Sequence, residues 1–431
     1  MPVCFPDLHQ RARAQRTLQP RIYGNVDFDR TPYRFTADAG DRSALPAWVA
    51  ERTPLLADDR LVELVRTTTM LGDTVADPYA ALVPAQGIGH LSDMLRQACR
   101  GGIDSVPEAP AELRTLIAAM ESTPAWVDMD LVEEGARHAR TSAAFLSPFL
   151  IRGAFLATFL NTYSALPMAL TGALSGRRAA HRINDTTSYF ALTTLPGALD
   201  RHGPGFEASA MVRLMHSVVR CRALVDPGRW DLGVYGVPIP QIDQMPAGFI
   251  SNYISAMRAH RRGRHEFNDR ERAMLEFSRY RSFLMGLPEE LLPTTLDGIV
   301  ELFHARAALL RDDFDDTCRQ LVGSTMDAYL RPTHTRLHRA ADAVERSWSK
   351  MLVLGFCGGN RKQAANMGVP IHAGDITRVG LTAPFILGRF TTVVTASQRP
   401  RLQDRTDRYT TRTLRKRLAT YGKPEFRSAP S

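Results

Sequence analysis

One stretch without a charged side chain, from Gly153 to Leu174, constrains the fold of this 431-residue chain more than any other feature. Its length matches the thickness of a bilayer, so it predicts either a membrane span or a helix inside a large protein core. The stretch contains Thr158, Asn161 and Pro167, whereas a helix facing lipid is more uniformly apolar. We therefore expect a buried helix that is kinked or interrupted at Pro167.

The rest of the chain shows helical rather than strand periodicity. Alternation typical of a β-strand is scarce, and Thr391–Thr395 is a short exception. Asp128 and Asn268 precede helical runs and are expected to act as N-caps. The sequence therefore predicts a mainly α fold, a large single-domain helical bundle. The helical patterns cover Asp58–Leu71, Gly89–Cys99, Pro110–Met120, Met129–Phe145, Leu174–Leu192, Phe206–Leu224, Phe249–Arg261, Asp269–Met285 and Leu296–Leu321.

Three regions follow from these patterns. Residues 1–45 have weak periodicity and are expected to form an N-terminal arm that wraps the core. Residues 46–397 form the predicted helical domain. Residues 398–431 are rich in Arg and Thr, and we expect a flexible basic tail. Such a tail is either a solvated end or a peripheral contact to an anionic membrane, and both interpretations stay open.

Charge and cysteine usage exclude several classes of protein. The net charge is +9, but the arginines are scattered and no nucleic-acid-binding motif accompanies them, so we expect no nucleic-acid partner. The five cysteines form no CxxC or CxxCH pattern, which argues against zinc, iron–sulfur clusters and covalently attached haem. Without an apolar run near the N-terminus, no secretory signal is indicated, and we expect a cytoplasmic, reducing location.

One helical segment places a histidine on an apolar face. Val212 and Val219 share a face with His216, while Arg213 and Arg220 flank it at positions i−3 and i+4. A haem needs an imidazole for its iron, apolar surface against the macrocycle and cations near its propionates. His216 is therefore a candidate metal ligand, and Arg213 and Arg220 are candidate cofactor-binding residues. The alternative is an ordinary core histidine.

A second helical segment carries a polar stripe. Arg178, Arg182 and Thr186 lie at successive i+4 steps, and a buried arginine needs an anion such as a propionate or a carboxylate. Arg178 is thus a candidate cofactor-binding residue, and an exposed stripe remains the alternative. Asp185 is a candidate for proton transfer if burial raises its pKa, and a purely structural pairing with an arginine is equally open.

The order and spacing of these residues resemble a known family. Arg182-xxx-Thr186, followed by His216 thirty-four residues after Arg182, is similar to the signature of the latex-clearing-protein and MpaB oxygenase family. The segments Trp230–Asp243 and Arg281–Pro288 resemble later parts of the same family. The likeness extends from about residue 124 to residue 293.

This resemblance implies non-covalent haem b with His216 as the proximal iron ligand, bound between its helix and the Arg182 helix. It also implies that Arg182 and Thr186 belong to the haem pocket. The expected reaction is oxidation of an isoprenoid- or lipid-like substrate by dioxygen, including oxidative cleavage of a carbon–carbon double bond. A haem peroxidase or monooxygenase acting on a small metabolite, or a non-catalytic lipid-binding protein, are the alternatives, and the oligomeric state is undetermined.

The chain departs from the rubber-cleaving branch at two positions. Leu166 stands sixteen residues before Arg182, where that branch has a glutamate that acts as a base. Asp185 stands directly before Thr186, where the branch has a lysine that caps the iron in a closed state. The resemblance therefore supports haem binding and the fold more strongly than it supports cleavage of polyisoprene.

Overall fold

The computed structural model describes residues 3–49, 51–157, 160–170, 177–226, 228 and 230–421. The predicted mainly α fold is confirmed, because β pairing within these residues is limited to two isolated bridges, Phe35 with Leu310 and Ser43 with Arg311. Two short 3₁₀ turns occur at Ile103–Ser105 and Glu289–Leu291. The helices in chain order are α1 (Pro6–Leu18), α2 (Pro20–Tyr23), α3 (Thr53–Ala57), α4 (Asp59–Thr69), α5 (Ala76–Ala80), α6 (Val83–Gln86), α7 (Ile88–Gly101), α8 (Ala111–Glu121), α9 (Met129–Phe145), α10 (Ser147–Leu156), α11 (Thr162–Leu170), α12 (Arg177–Leu192), α13 (Pro204–Val225), α14 (Leu232–Tyr235), α15 (Gln241–His260), α16 (Asp269–Leu284), α17 (Leu296–Leu309), α18 (Asp316–Asp327), α19 (Arg336–Phe356), α20 (Arg361–Asn366), α21 (Ala373–Ser397) and α22 (Pro400–Tyr421).

Within the helical fold, the described chain divides into two compact units. Unit 1 comprises the described residues of 3–135 and 199–313, and unit 2 comprises those of 136–198 and 314–421. Each unit has its own hydrophobic core, which is the property that defines a compact folding unit. Helical periodicity cannot reveal this division, because it reports which face of a helix is buried but not its partner.

The predicted N-terminal arm is built into unit 1. Leu8 is fully buried in the core cluster that also contains Phe249 and Ile299. Further along, the backbone N–H of Thr36 donates to the carbonyl of Leu309 at 2.9 Å. The arm therefore contributes both core side chains and backbone pairing to unit 1.

The core of unit 2 contains the described part of the uncharged stretch. Phe155 is 5% exposed, and Leu156 and Ala165 are fully buried. The stretch forms parts of two helices, α10 and α11, rather than one, and Pro167 lies within α11. Thr158 and residues 171–174 lie outside the described residues. About half of the described residues of the stretch are buried, and the others, such as Leu166 and Leu170, are half-buried, so the expected burial is only partly met.

Three expectations about secondary structure are wrong. Thr391–Thr395 lies within helix α21 and is not a strand. The predicted helix Leu296–Leu321 is divided into α17 and α18, because Asp315 caps a new helix by accepting from the N–H of Cys318 at 2.9 Å. The expected flexible tail is helical over Pro400–Tyr421, where Leu414 is buried in a hydrophobic cluster of unit 2.

The expected helix caps are present. Asp128 Oδ1 accepts from the N–H of Leu131 at 3.1 Å at the start of α9. Asn268 caps α16, since its side chain accepts from the N–H of Glu271 at 2.9 Å while Glu271 accepts from the N–H of Asn268. Reciprocal bonding of this kind satisfies backbone donors at the first turn of a helix.

Candidate functional site

Helix α13 positions the candidate histidine in unit 1. The arginines at i−3 and i+4 lie on one side of His216, and both are buried: Arg213 is 5% exposed and Arg220 is fully buried. On the other side of the histidine lie Val212 and Val219, which are half-buried, as is His216 itself. The histidine therefore lies at the border between a buried polar face and a more accessible apolar face.

Arg213 forms a buried ion pair with the segment that precedes α5. Its Nη2 donates to Asp73 Oδ1 at 2.9 Å, and its Nε donates to Asp73 Oδ2. Asp73 Oδ1 also accepts from the backbone N–H of Ala76 at 3.0 Å. The carboxylate thus joins helix α13 to the start of α5.

Arg220, which follows Arg213 on α13, forms a second buried ion pair with Asp77, which follows Asp73. Its Nη1 donates to Asp77, which also accepts from the phenol of Tyr23. The remaining guanidinium nitrogens donate to the carbonyls of Pro238 and Ile239, at 3.0 and 2.8 Å. Every nitrogen of this guanidinium is therefore satisfied within unit 1.

Two glycines permit the close approach of backbone to these ion pairs. A Cβ added to Gly72 would lie 2.0 Å from the Tyr23 hydroxyl and 2.9 Å from Asp77 Oδ2. A Cβ added to Gly286, which has a φ of +88°, would lie 2.6 Å from Arg213 Nε. Only glycine fits both positions, and Gly286 belongs to one of the family-like segments.

Burial and charge act in opposite directions on the carboxylates. Burial raises the pKa of Asp73, but the Arg213 guanidinium outweighs it, so the pKa is lowered overall. Burial raises the pKa of Asp77, and Arg220 opposes this only in part because the charge of Asp73 is close. Burial also raises the pKa of Tyr23 well above its usual value, so its phenol stays protonated and donates to Asp77.

A chain of amide side chains supports the imidazole of His216. Its Nδ1 lies 2.9 Å from Gln244 Oε1. Gln244 Nε2 donates to Gln241 Oε1 at 3.0 Å, and Gln241 Nε2 donates to the carbonyl of Gly72 at 3.0 Å. Because an amide oxygen only accepts, Nδ1 of His216 donates in this contact. The relay connects the histidine to the same backbone turn that holds the ion pairs.

The family-like segment Trp230–Asp243 leads into α15, the helix whose glutamines support His216. The indole of Trp230 donates to the carbonyl of Gly236 at 2.6 Å, and Ile239 has a φ of +47°, which is unusual for a β-branched residue. Asp243, in the first turn of α15, accepts from Arg34 and Arg306 at 2.8 and 2.7 Å. These contacts fix the start of α15, the helix that carries both glutamines of the relay.

The other predicted residues lie on α12, in unit 2. Arg178 is exposed, whereas Arg182 and Thr186 are half-buried. Among the residues that the structure describes, none provides a hydrogen-bond partner for the buried Nε of Arg182. Burial lowers the pKa of Arg182, and the charge of Asp185 opposes this shift. Asp185 Oδ2 lies 3.6 Å from His181 Nε2. The predicted stripe therefore runs from the surface of the unit inward.

The sequence predicts the histidine and both arginines of α13 as site residues but not the groups that they contact in unit 1. Asp73 and Asp77 are the charged residues between Arg66 and Asp93, and their i+4 spacing suits two arginines on one helix face. That pattern was available in the sequence. Gln244 carried no such signal, because a glutamine near a helix start has many ordinary uses.

Comparison with known proteins agrees with the predicted resemblance. Residues 139–411 match the catalytic domain described as "ER-bound oxygenase mpaB/B'/Rubber oxygenase". The fold is similar to a solved structure titled "Structure of Latex Clearing Protein LCP in the closed state", with a TM-score of 0.58 and 16% identity, over 82% of this chain and 91% of that one. No curated protein matches the sequence. Because the family match spans more than half of the chain, this protein belongs to the mpaB and rubber oxygenase family.

Proposed function

We propose that this chain is a haem b-dependent oxygenase that uses dioxygen to oxidise an apolar, isoprenoid- or lipid-like alkene. The observation that carries the proposal is the hydrogen bond between Nδ1 of His216 and Gln244. His216 lies on α13, beside a half-buried apolar face of the same helix. Histidines that ligate metals almost always donate their other ring N–H to a fixed acceptor. Membership of an oxygenase family supports the same assignment.

The donor set of the chain fits a haem. His216 offers Nε2 to iron, and the half-buried side chains of Val212 and Val219 beside it offer apolar contact to a macrocycle. In unit 2, taken by itself, the buried Nε of Arg182 has no hydrogen-bond partner among the described residues, and a buried guanidinium of this kind favours an anion. When bound, a haem supplies the redox chemistry that activates dioxygen.

The roles of Arg213 and Arg220 in this proposal differ from those expected from sequence. Their guanidinium groups bind Asp73 and Asp77, so we assign them to holding α13 against the start of α5. Rigid placement of α13 fixes the position of His216, and a functional side chain needs such support from its surroundings.

Gln244 orients the imidazole of His216 by accepting a hydrogen bond from its Nδ1. The family signature assigns Arg182 and Thr186 to the haem pocket, and we carry this assignment over to this chain. Asp185 is the proposed proton-transfer group, since it is 9% exposed and is the first carboxylate after Glu134. An apolar substrate suits the uncharged stretch of unit 2, where the described residues are mostly apolar.

A second candidate function has support from one observation. Leu166, on α11, stands where the rubber-cleaving branch has its glutamate base. Without that base, a haem peroxidase or monooxygenase acting on a small metabolite is the next choice. A non-catalytic binding protein is the outcome if no haem binds.

Oxygen consumption by the hemin-reconstituted protein tests the proposal. Unsaturated terpenoids and fatty acids are supplied with dioxygen or with peroxide, and products are identified by mass spectrometry. Paired carbonyl fragments formed with dioxygen support oxidative cleavage. Turnover only with peroxide, or hydroxylated products of unchanged length, would support the second candidate.

Two histidine variants control this experiment. His216→Ala is expected to lose turnover. His304→Ala is the matched control, because His304 is also a half-buried histidine of unit 1 and its Nε2 bonds the Tyr253 hydroxyl at 3.0 Å. If both variants retain turnover, His216 is not the iron ligand.

A further inference from the structure

The last two helices of unit 2 present an unusual surface. Among the described residues, α21 is the one helix long and apolar enough to cross a membrane by length and composition. Only 6% of the 18 most apolar consecutive residues of α21 are buried. Leu381 is 70% exposed and Phe385 is 78% exposed, and their i+4 spacing places them on one face. A soluble surface rarely displays such side chains together without a partner.

Another face of α21 contacts unit 2 at three points along the helix. Near its start, Asp375 accepts from Lys350 Nζ and Ser347 Oγ, both at 2.9 Å. In the middle, the indole of Trp348 donates to Thr382 Oγ1 at 2.9 Å. Near its end, Val393 is buried in a hydrophobic cluster of this unit. A transmembrane orientation would break these contacts, so α21 lies along the surface of its unit.

The neighbouring helix α22 carries a basic stripe. Six exposed cations repeat at i, i+4, i+7, i+11, i+14 and i+15, a spacing that places them on one helix face. On other positions of α22, Leu414 is buried and Asp407 binds Arg140. The two helices are also joined by Arg389 Nη2, which donates to the Tyr409 hydroxyl at 2.6 Å. The stripe consists of Arg401, Arg405, Arg408, Arg412, Arg415 and Lys416.

We propose that helices α21 and α22 dock unit 2 on an anionic lipid bilayer. The exposed apolar face of α21 enters the boundary between headgroups and acyl chains, and the basic stripe of α22 binds lipid phosphates. Amphipathic surface helices bind membranes through this combination of apolar burial and charge attraction. The proposal concerns a surface separate from the haem ligand and does not depend on the proposed reaction.

Charge complementarity selects this partner over two others. A second copy of the chain would bring two stripes of six cations towards each other, and like charges oppose association. A nucleic acid would engage the stripe but would leave the side chains of Leu381 and Phe385 in water. An anionic bilayer offers acyl chains to the apolar side chains and phosphates to the stripe.

Flotation of the full-length protein with lipid vesicles tests the proposal. Vesicles of phosphatidylcholine alone are compared with vesicles that also contain phosphatidylserine, at low and high salt. The parent is expected to float only with the anionic vesicles and less at high salt, because counterions screen the stripe. Arg405→Gln/Arg412→Gln is expected to lower the partition coefficient about 25-fold, about fivefold for each lost cation.

Matched variants separate the two contributions. Leu381→Gln/Phe385→Gln is expected to lower binding more than tenfold with unchanged far-UV circular dichroism, since both side chains are exposed in the folded protein. Arg261→Gln/Arg262→Gln removes two exposed cations of unit 1 and is expected to leave binding unchanged. The proposal would be overturned if the parent bound uncharged and anionic vesicles equally. It would also be overturned if all three double variants lost the same amount of vesicle binding. A third contradicting result would be a dimer of the parent, detected by light scattering without lipid, that is absent in Leu381→Gln/Phe385→Gln.

Discussion

The Arg220–Asp77 ion pair decides whether Arg220 serves the fold of unit 1 or a cofactor. Both side chains are fully buried, so each charge depends on the other for compensation. Removing one partner of a buried pair leaves an uncompensated charge and costs about 3–5 kcal/mol. We therefore expect Arg220→Met and Asp77→Leu each to lower the melting temperature of the apo-protein by about 10 °C.

The double variant gives the sharper test. Replacing both partners with apolar side chains removes the desolvation cost together with the attraction, so such exchanges are often neutral. Arg220→Met/Asp77→Leu should therefore be more stable than the sum of the single changes predicts, with a coupling energy of about 3 kcal/mol or more. Tyr23 loses its acceptor in this variant, which keeps it somewhat below the parent.

Urea and thermal unfolding of the apo-protein, followed by circular dichroism, measure these changes without any cofactor. Hemin affinity of each variant is measured in parallel by absorbance titration. Additive effects of the two single changes would show that Arg220 and Asp77 do not compensate each other's charge. If Arg220→Met left apo-protein stability unchanged but lowered hemin affinity, that result would assign Arg220 to a propionate.

Three further predictions follow from the surroundings of the histidine. Gln244→Leu should lower hemin affinity about 10–100-fold and shift the reduction potential, while Gln244→Glu should retain hemin, as measured by titration and spectroelectrochemistry. Gly72→Ala should destabilise the apo-protein in urea unfolding because its Cβ meets the Tyr23 hydroxyl, whereas Gly89→Ala, in an open helical position, should be neutral or stabilising by up to about 1 kcal/mol. Burial raises the pKa values of Asp73 and Asp243, but the neighbouring arginines outweigh burial and lower both pKa values. The stabilisation from these carboxylates is therefore complete above the unfolded pKa of about 3.9 and is lost as the pH falls through the lower folded pKa values. The free energy of unfolding should drop below about pH 4, and it should drop less steeply in Asp243→Asn.

Much of the helical fold could be predicted from sequence because the helices follow apolar periodicity and local caps. Asn268 with Glu271 is such a local signal, and the structure confirms it. Division into two units could not be predicted, because it depends on which buried faces meet. The α22 helix was missed because its many arginines hide the few apolar positions, such as Leu414, that anchor it.

The candidate site shows the same limit. Spacing on one helix identified His216, Arg213 and Arg220 as neighbours, and the structure places all three on α13. The i+4 pair Asp73 and Asp77 was a visible candidate, but spacing along α13 could not reveal that these distant carboxylates bind the two arginines. A sequence motif therefore reports the geometry along one helix, while the partner of each charge is decided by tertiary packing.

The absorbance spectrum of hemin-reconstituted protein, recorded beside His216→Ala and His304→Ala, shows whether His216 ligates the iron. Our account predicts a Soret band in the parent and in His304→Ala, and its loss or shift in His216→Ala alone. A parent that binds no hemin, or an unchanged band in His216→Ala, would contradict the assignment of His216 as the iron ligand.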